Sequence, residues 1–139
     1  MFKIYACYTD NHQLAGVAIP ASGQGFQDVI RILYGYVPEK NAVVGMQVLE
    51  STETPGLGDK IEKDEDFLVN FKGLDVRLAK NQDRLLHPIK LVKAGQKTEP
   101  WQISAITGAT ISSRAIAKMI RESAEKNLPL IKDNLSNLQ

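Results

Sequence analysis

The sequence predicts an α+β fold with a mainly antiparallel sheet and helices packed against it. Three observations carry this prediction: alternating apolar residues with turn signals fill the first half, a helical pattern follows, and the longest helical runs come last. The chain has 139 residues, of which 43% are hydrophobic and 24% charged, as in an ordinary globular protein. We therefore expect a single domain over residues 1–139.

Composition and charge exclude several classes of protein. The 17 basic and 16 acidic residues give a formal net charge of +1, so we expect no nucleic-acid partner. The single cysteine, Cys7, rules out an internal disulfide and argues against a thiolate metal site. No apolar run reaches the roughly 20 residues that span a bilayer, and the first residues lack a secretion signal. We expect a chain that is soluble as given and lacks a membrane anchor.

Alternating apolar and polar residues, separated by turn signals, predict four strands in the first half of the chain. We place them at residues 2–8, 14–19, 26–36 and 43–49. Pro20 and the glycines after it are expected to end the second strand. The segment 38–41 is expected to form the turn of a hairpin between the third and fourth strands, which makes the predicted sheet antiparallel.

A helix and three short strands are predicted next. Residues 59–71 have acidic side chains near the positive helix N-terminus and apolar residues on one face, with Gly73 as the expected stop. The apolar face comprises Ile61, Phe67, Leu68 and Phe71. The short strands are expected at residues 74–78, 89–92 and 103–106.

Two helices are predicted at the C-terminus. Ser112 and Ser113 are good N-caps, and Ser113 begins a run in which apolar residues recur on one face. A second helix is expected over residues 128–138, with Pro129 in its first turn, where proline is tolerated.

The chemistry is expected in the strand-to-helix turn at residues 104–114, where hydroxyl side chains, Gly108 and Arg114 occur together. The first N–H groups of a helix have no partner within it, so with the helix dipole they form a site for an anion such as phosphate. Gly108 lets the backbone come close, and Arg114 offers a charge-assisted hydrogen bond. Serine and threonine are also ordinary caps, so the residues alone leave capping and anion binding both open.

Two motifs resemble hallmarks of the FMN-binding domain family. The run Thr107-Gly108-Ala109-Thr110-x-Ser112 resembles the flavinylation motif of that family, and the upstream segment 53–61 resembles its second hallmark. The family includes the G subunit of the Rnf electron-transport complex and the C subunit of the sodium-pumping NADH:quinone oxidoreductase. The likeness is strongest to the Rnf G branch and covers roughly residues 21–120.

The resemblance implies a cofactor and a set of site residues. FMN is expected to be attached by a phosphoester to the hydroxyl of Thr110, in a reaction by which a separate flavin transferase takes FMN from FAD. The upstream loop is expected to border the isoalloxazine ring, with Leu57 packing on it. The remaining implied site residues are Thr107, Gly108, Ala109, Ile111, Ser112, Ser113, Glu53, Thr54, Pro55, Gly56 and Gly58.

The resemblance also implies a function, namely electron relay within a membrane ion-translocating oxidoreductase complex of Rnf type, with the other subunits as partners. Family members are anchored in the cytoplasmic membrane with this domain on the outer side. We expect neither a catalytic side chain nor a metal site. The chain departs from the family pattern at Ser104, where flavinylated members usually carry an aspartate. Two alternatives stay open: a module that binds FMN non-covalently in a regulatory or redox-sensing role, and an anion- or peptide-binding scaffold without flavin.

Overall fold

The centre of the structure is a five-stranded antiparallel sheet. The computed structural model describes residues 3–25, 28–52, 59–80 and 84–138. The strands of the sheet are β1 (Tyr5–Tyr8), β2 (Leu14–Gln24), β3 (Val29–Val37), β4 (Ala42–Glu50) and β5 (Leu74–Asp75). They lie in the sheet in that order, and each pairs antiparallel with the next. The predicted α+β architecture with a mainly antiparallel sheet is confirmed.

The hairpin between β3 and β4 forms as predicted. Its turn is a short 3-10 helix, Pro38–Lys40, closed by Asn41 at a φ of 53°. Asparagine is one of the few residues that tolerate this left-handed conformation. Alternate residues of β3, from Ile30 to Tyr36, are buried, so one face of the sheet carries the core.

The second strand does not end at Pro20, as the sequence predicted. β2 continues through the proline to Gln24 and pairs with β3 along that length. On its other side, β1 pairs with β2 only from Leu14 to Ala18 in the described part of the chain. Proline is tolerated in a strand where a neighbour is missing, because its absent N–H is not needed for pairing there.

The helix predicted over residues 59–71 is broken into short turns. The structure has α1 (Lys60–Lys63), α2 (Glu65–Leu68) and a 3-10 turn at Val69–Lys72. Asp64 separates the first two, with an extended backbone and a side chain that accepts a hydrogen bond from the N–H of Phe67 at 2.9 Å. Aspartate favours such a cap over a helix interior. The apolar side of these turns is nevertheless buried as expected, with Leu68 half-buried.

The three later strands are shorter than predicted, and two of them pair in parallel. β6 (Lys90–Val92) and β7 (Gln102–Ser104) form a separate two-stranded parallel sheet. The segment predicted at 74–78 is reduced to β5, although Leu78 makes an isolated bridge to Leu85. Spacing along the chain did not predict the parallel pair, because such pairing depends on a crossover that spacing does not reveal.

The C-terminal region is one long helix followed by a short one, not two helices divided near residue 128. α3 (Thr110–Asp133) contains Pro129, and α4 (Leu135–Leu138) follows it. An interior proline costs a helix about 3 kcal/mol. Leu128 and Ile131 on either side of it are buried in the core, and this packing keeps the helix continuous. Among the helices that the structure describes, none is both long and apolar enough to cross a membrane.

Candidate functional site

The connection from β7 to α3 is a tight turn. The N–H of Ala109 donates to the carbonyl of Ile106 at 3.0 Å, and Gly108 has a φ of 83°. These features are typical of a type II turn, whose third residue must be left-handed. A Cβ added to Gly108 would meet no described atom within 4 Å. The backbone angle, and not lack of space, therefore requires glycine here.

α3 begins at Thr110, and the prediction that Ser112 and Ser113 cap it is wrong. Ala109 occupies the N-cap, and an alanine side chain carries no acceptor for the N–H groups of the first turn. Both serines lie inside the helix and are almost completely buried. They precede the buried Ile116 by four and three positions, so they share its face toward the core.

Ser113 instead forms hydrogen bonds to both ends of the turn from its buried position in α3. Its Oγ accepts a hydrogen bond from the N–H of Ile106 at 3.1 Å and donates to the carbonyl of Ala109 at 2.8 Å. A single hydroxyl, 0% exposed, thereby ties both ends of the turn to the helix. The backbone that carries Thr110 is held in place by this buried contact.

Thr110 opens onto a groove of about 510 Å³, here named the Thr110 groove. Thr110 and Arg114 lie one helical turn apart, and both are exposed. Of the described residues that line the groove, the charged ones are Lys93 and Arg114, which give this part of the lining a formal charge of +2. The lining residues are Leu91, Val92, Lys93, Ala94, Gln96, Ala105, Ile106, Thr107, Gly108, Thr110 and Arg114.

A second groove, of about 470 Å³, adjoins the first and is here named the Asp64 groove. The two grooves share four lining residues, so they adjoin at Thr107 and its neighbours. The shared residues are Ala94, Ala105, Ile106 and Thr107. The charged residues of this groove, in the described part of the chain, are Lys60, Asp64 and Asp66, a formal charge of −1. The other lining residues are Phe67, Ala94, Gly95, Ser104, Ala105, Ile106 and Thr107.

The predicted upstream loop, Glu53 to Gly58, lies outside the described residues. Lys60, two positions after that segment, lines the Asp64 groove. Of the predicted residues around the turn, Thr107, Gly108 and Thr110 line the Thr110 groove. The side chain of Ile111 is 53% exposed beside them, whereas Ala109, Ser112 and Ser113 are buried behind them.

Asn70 hydrogen-bonds to two residues that line the Asp64 groove, Phe67 and Ser104, and the sequence did not predict this contact. It is 3% exposed, and its amide forms two hydrogen bonds with the backbone of Ser104, one to each of its polar groups. Its Nδ2 also donates to the carbonyl of Phe67 at 2.9 Å. The available signal was one amide in the apolar run from Phe67 to Phe71. A buried polar side chain in such a run needs partners.

Ser104, the position at which the chain departs from the family pattern, is fully engaged in hydrogen bonding. Its N–H and carbonyl bond to Asn70, and its Oγ accepts a hydrogen bond from the N–H of Gly95 at 3.0 Å. Gly95 belongs to the connection between β6 and β7. The serine therefore holds that connection against the end of β7.

A second buried polar cluster lies under the middle of α3. The hydroxyls of Tyr34 and Ser123 are 2.6 Å apart, and the Nδ2 of Asn127 donates to Ser123 at 3.1 Å. Burial raises the pKa of Tyr34 well above its ordinary value and raises the pKa of Tyr36 to about 12. The hydroxyl of Tyr36 and the Oδ1 of Asn127 have no hydrogen-bond partner among the described residues.

Comparison with known proteins gives one family and several relatives. The family described as FMN-binding domain matches residues 25–125. The G subunit of the proton-translocating ferredoxin:NAD(+) oxidoreductase complex of Clostridium ljungdahlii is 32% identical over 122 residues, which cover 88% of this chain and 58% of that protein. The G subunit of the ion-translocating oxidoreductase complex of Vibrio vulnificus is 33% identical, with coverage of 84% and 51%. The chain thus spans just over half the length of these relatives.

Two solved structures share the fold. NqrC of Shewanella oneidensis superposes with a TM-score of 0.78 at 23% identity, covering 99% of this chain and 60% of that one. The C subunit of the Na(+)-translocating NADH-quinone reductase of Parabacteroides distasonis gives a TM-score of 0.75 at 22% identity, with coverage of 92% and 61%. Similarity at this level of identity establishes the architecture.

Proposed function

Because the chain belongs to the FMN-binding domain family, we propose that residues 1–139 act as one domain that holds the phosphate of FMN at the beginning of α3. FMN is the cofactor of the family, as the two motifs predicted. When bound, it supplies redox chemistry, since its ring accepts two electrons and can release them singly. The residues of this chain bind the cofactor, orient it and set its surroundings.

The observation that carries this proposal is the position of Thr110 at a groove whose described charged residues, Lys93 and Arg114, are both cations. The helix dipole, positive at the beginning of α3, favours a phosphate at that place. Arg114 is a cation close to the positive end of the dipole, which is unfavourable unless an anion lies between them. The Asp64 groove has the opposite formal charge and is the poorer place for a phosphate.

The ring of the cofactor fits the side of the site where the two grooves meet. Ala94 is exposed and lines both grooves, so it provides apolar surface there, as flat heterocycles require, while Phe67 and Ile106 line the Asp64 groove from nearly buried positions. Lys60 brings the chain that follows the predicted upstream loop to the same groove. We therefore assign the ring-binding role to that loop, as the resemblance implies. Its residues are Glu53, Thr54, Pro55, Gly56, Leu57 and Gly58.

We further propose that Thr110 is the attachment site and that a flavin transferase makes the bond. The Thr110 Oγ forms a bond to the flavin-side phosphorus of FAD, the bond to the adenylate phosphate breaks, AMP leaves, and the hydroxyl proton passes to a base of the transferase. The charged residues described around the groove are both cations, so the described part of the groove offers no carboxylate base. A threonine hydroxyl without such a base is a poor nucleophile near neutral pH.

The names of the relatives support a role in electron transfer within a larger assembly. They are subunits of ion-translocating oxidoreductase complexes. We propose that this domain relays electrons between other subunits of such a complex, on the outer side of the cytoplasmic membrane. The exposed Ile111, adjacent to Thr110, lies on the surface that a redox partner would approach.

The test is the intact mass of the chain after expression with and without a flavin transferase of the family type. We expect a gain of one FMN less one water only with the transferase, and no gain in Thr110→Ala. A Thr110→Ser variant keeps the hydroxyl and is expected to gain the same mass. Flavin on Thr110→Ala, or at another residue of the wild-type chain, would contradict the assignment.

Denaturation separates covalent attachment from its alternative. Flavin that stays with the precipitated chain is attached, whereas flavin released to the supernatant was bound only by non-covalent contacts. Ser104, in the place of the usual aspartate, favours this second outcome, which would make the domain a reversible FMN-binding module. A colourless protein from cells that contain the transferase, with no binding of added FMN, would contradict both forms of the proposal.

A further inference from the structure

We propose that Asn70 is a positioning residue for the FMN site and that Asn70 and Ser104 together form a clamp that fixes three walls of the grooves. This inference rests on the proposed function for its purpose. The clamp itself is defined by hydrogen bonds among described residues, and its existence can be tested without the cofactor.

Asn70 replaces a missing neighbouring strand beside β7. Its Oδ1 accepts from the N–H of Ser104 at 3.0 Å, while its Nδ2 donates to the carbonyl of the same residue at 3.0 Å. This is the pairing that a strand backbone would offer, supplied here by one side chain. The same Nδ2 also donates to Phe67, which joins α2 to the clamp. An apolar side chain at position 70 would remove the hydrogen-bond partners of two part-buried backbone groups of Ser104.

Ser104 joins the connection between β6 and β7 to the clamp. Its Oγ accepts a hydrogen bond from the N–H of Gly95, which lines the Asp64 groove, and the adjacent Ala94 lines both grooves. The first wall is thus α2, the second is the end of β7 that leads to Thr107, and the third is the connection between β6 and β7. All of these hydrogen bonds are local to the site, and all but the contact of Gly95 use the amide of Asn70.

The position of the clamp beside the Asp64 groove indicates a role beyond core packing. The Asp64 groove has α2 on one side and residues 94–95 on the other, with residues 104–107 between them. The width of the groove is therefore set by the bonds of Asn70 and Ser104. A flat ring held between such walls is sensitive to their spacing, because stacking and hydrogen bonds weaken steeply with distance.

The experiment compares Asn70→Leu with Asn127→Leu in the full chain, expressed without a transferase. Asn127 is a matched control, since it is 5% exposed and lies under the middle of α3. The first measurement is the Kd of FMN by quenching of flavin fluorescence. We expect Asn70→Leu to weaken binding at least tenfold and to change the visible circular dichroism of bound FMN. Asn127→Leu is expected to leave both within twofold of the wild type.

A milder pair of variants guards against loss of folding. Ser104→Ala removes only the hydroxyl contact with Gly95 and is expected to weaken FMN binding about threefold, whereas Ser104→Thr keeps an acceptor and restores the wild-type value. Equal affinities and equal circular dichroism in Asn70→Leu, Ser104→Ala and the wild type would overturn the inference.

Hydrogen exchange of the flavin-free chain keeps the inference separate from the proposed function. In Ser104→Ala we expect faster exchange at Gly95, and in Asn70→Leu faster exchange at Ser104, with residues 116–124 of α3 unchanged. If the wild type neither gains flavin from a transferase nor binds added FMN, the proposed function fails while this exchange pattern still decides on the clamp. Unchanged exchange at both amides would contradict the clamp.

Discussion

The polar side chains around the two grooves differ from those under the middle of α3 in what they bind. Around the grooves, Ser113, Asn70 and Ser104 form their hydrogen bonds with backbone groups. Under the middle of the helix, the hydroxyls of Tyr34 and Ser123 and the amide of Asn127 bond to one another. The first cluster therefore determines the path of the main chain around the grooves, whereas the second fills space between helix and sheet.

This difference determines whether loss of a side chain changes the shape of the grooves or only the stability of the fold. A side chain that holds backbone groups fixes where neighbouring residues lie, so its loss changes the site as well as the free energy of unfolding. A side chain bonded to other side chains can be replaced with a loss of stability alone. In the middle cluster the Oδ1 of Asn127 lacks a described partner, and so does the hydroxyl of Tyr36 in the same strand as Tyr34, which is unusual for buried groups.

Ser113→Ala is expected to have the largest effect on stability. The variant leaves the buried N–H of Ile106 and the carbonyl of Ala109 without the hydroxyl, which costs about 1–3 kcal/mol of unfolding free energy. Because the turn before Thr110 is then held less firmly, FMN binding is expected to weaken as well. Chemical denaturation and FMN titration measure the two effects.

Ser123→Ala is the control from the other cluster. It removes the partner of Tyr34 and Asn127 and is expected to destabilise the chain while leaving the Kd of FMN unchanged. Weaker FMN binding in Ser123→Ala to the same extent as in Ser113→Ala would break the distinction between the clusters.

Alkaline pH is expected to act on the middle cluster. The pKa values of Tyr34 and Tyr36 are raised by burial, so above pH 10 the unfolded chain loses these protons while the folded chain keeps them. Unfolding free energy should therefore fall as pH rises past 10, by about 1 kcal/mol per pH unit for each such tyrosine. Urea denaturation between pH 8 and pH 11 measures the slope.

The variant Tyr34→Phe sharpens this prediction, since it removes one of the two raised groups. We expect a shallower decline of stability above pH 10 in the variant than in the wild type. An equal slope in both proteins would show that Tyr34 does not stay protonated in the folded chain.

The sequence predicted the sheet well because β-strand alternation is a local pattern. The burial of alternate residues in β3 and the hairpin turn at Asn41 were both visible in it. The sequence placed the beginning of α3 three residues too late. Serine is common at helix caps, but Ser113 is buried against the core inside the helix. Helix continuity through Pro129 likewise depends on the burial of Leu128, which is a tertiary effect.

The turn that carries the candidate site could be predicted from its motif, whereas the residues that support this turn could not. The turn with Gly108 and Thr110 lies in one contiguous segment. Gly108 supplies the positive φ that a type II turn needs at its third residue. Asn70 lies 34 positions before Ser104, so no local pattern connects them. Contacts of this separation are decided by how β7 and α2 meet, which periodicity does not specify.

Arg114→Gln is expected to have the smallest effect and tests the groove from its exposed side. The side chain is exposed, and charge-assisted hydrogen bonds in contact with water are weakened by screening. We expect a three- to fivefold loss of FMN affinity, equivalent to about 0.7–1 kcal/mol, and no change in stability. The affinity for riboflavin, which lacks the phosphate, should be unaffected.

Lys126→Gln, on the same helix but beside the middle cluster, is the matched control and should leave both affinities unchanged. Equal losses for FMN and riboflavin in Arg114→Gln would mean that Arg114 contacts the ring instead of the phosphate. The proposed orientation of the cofactor, with its phosphate at Thr110, would then have to be reversed.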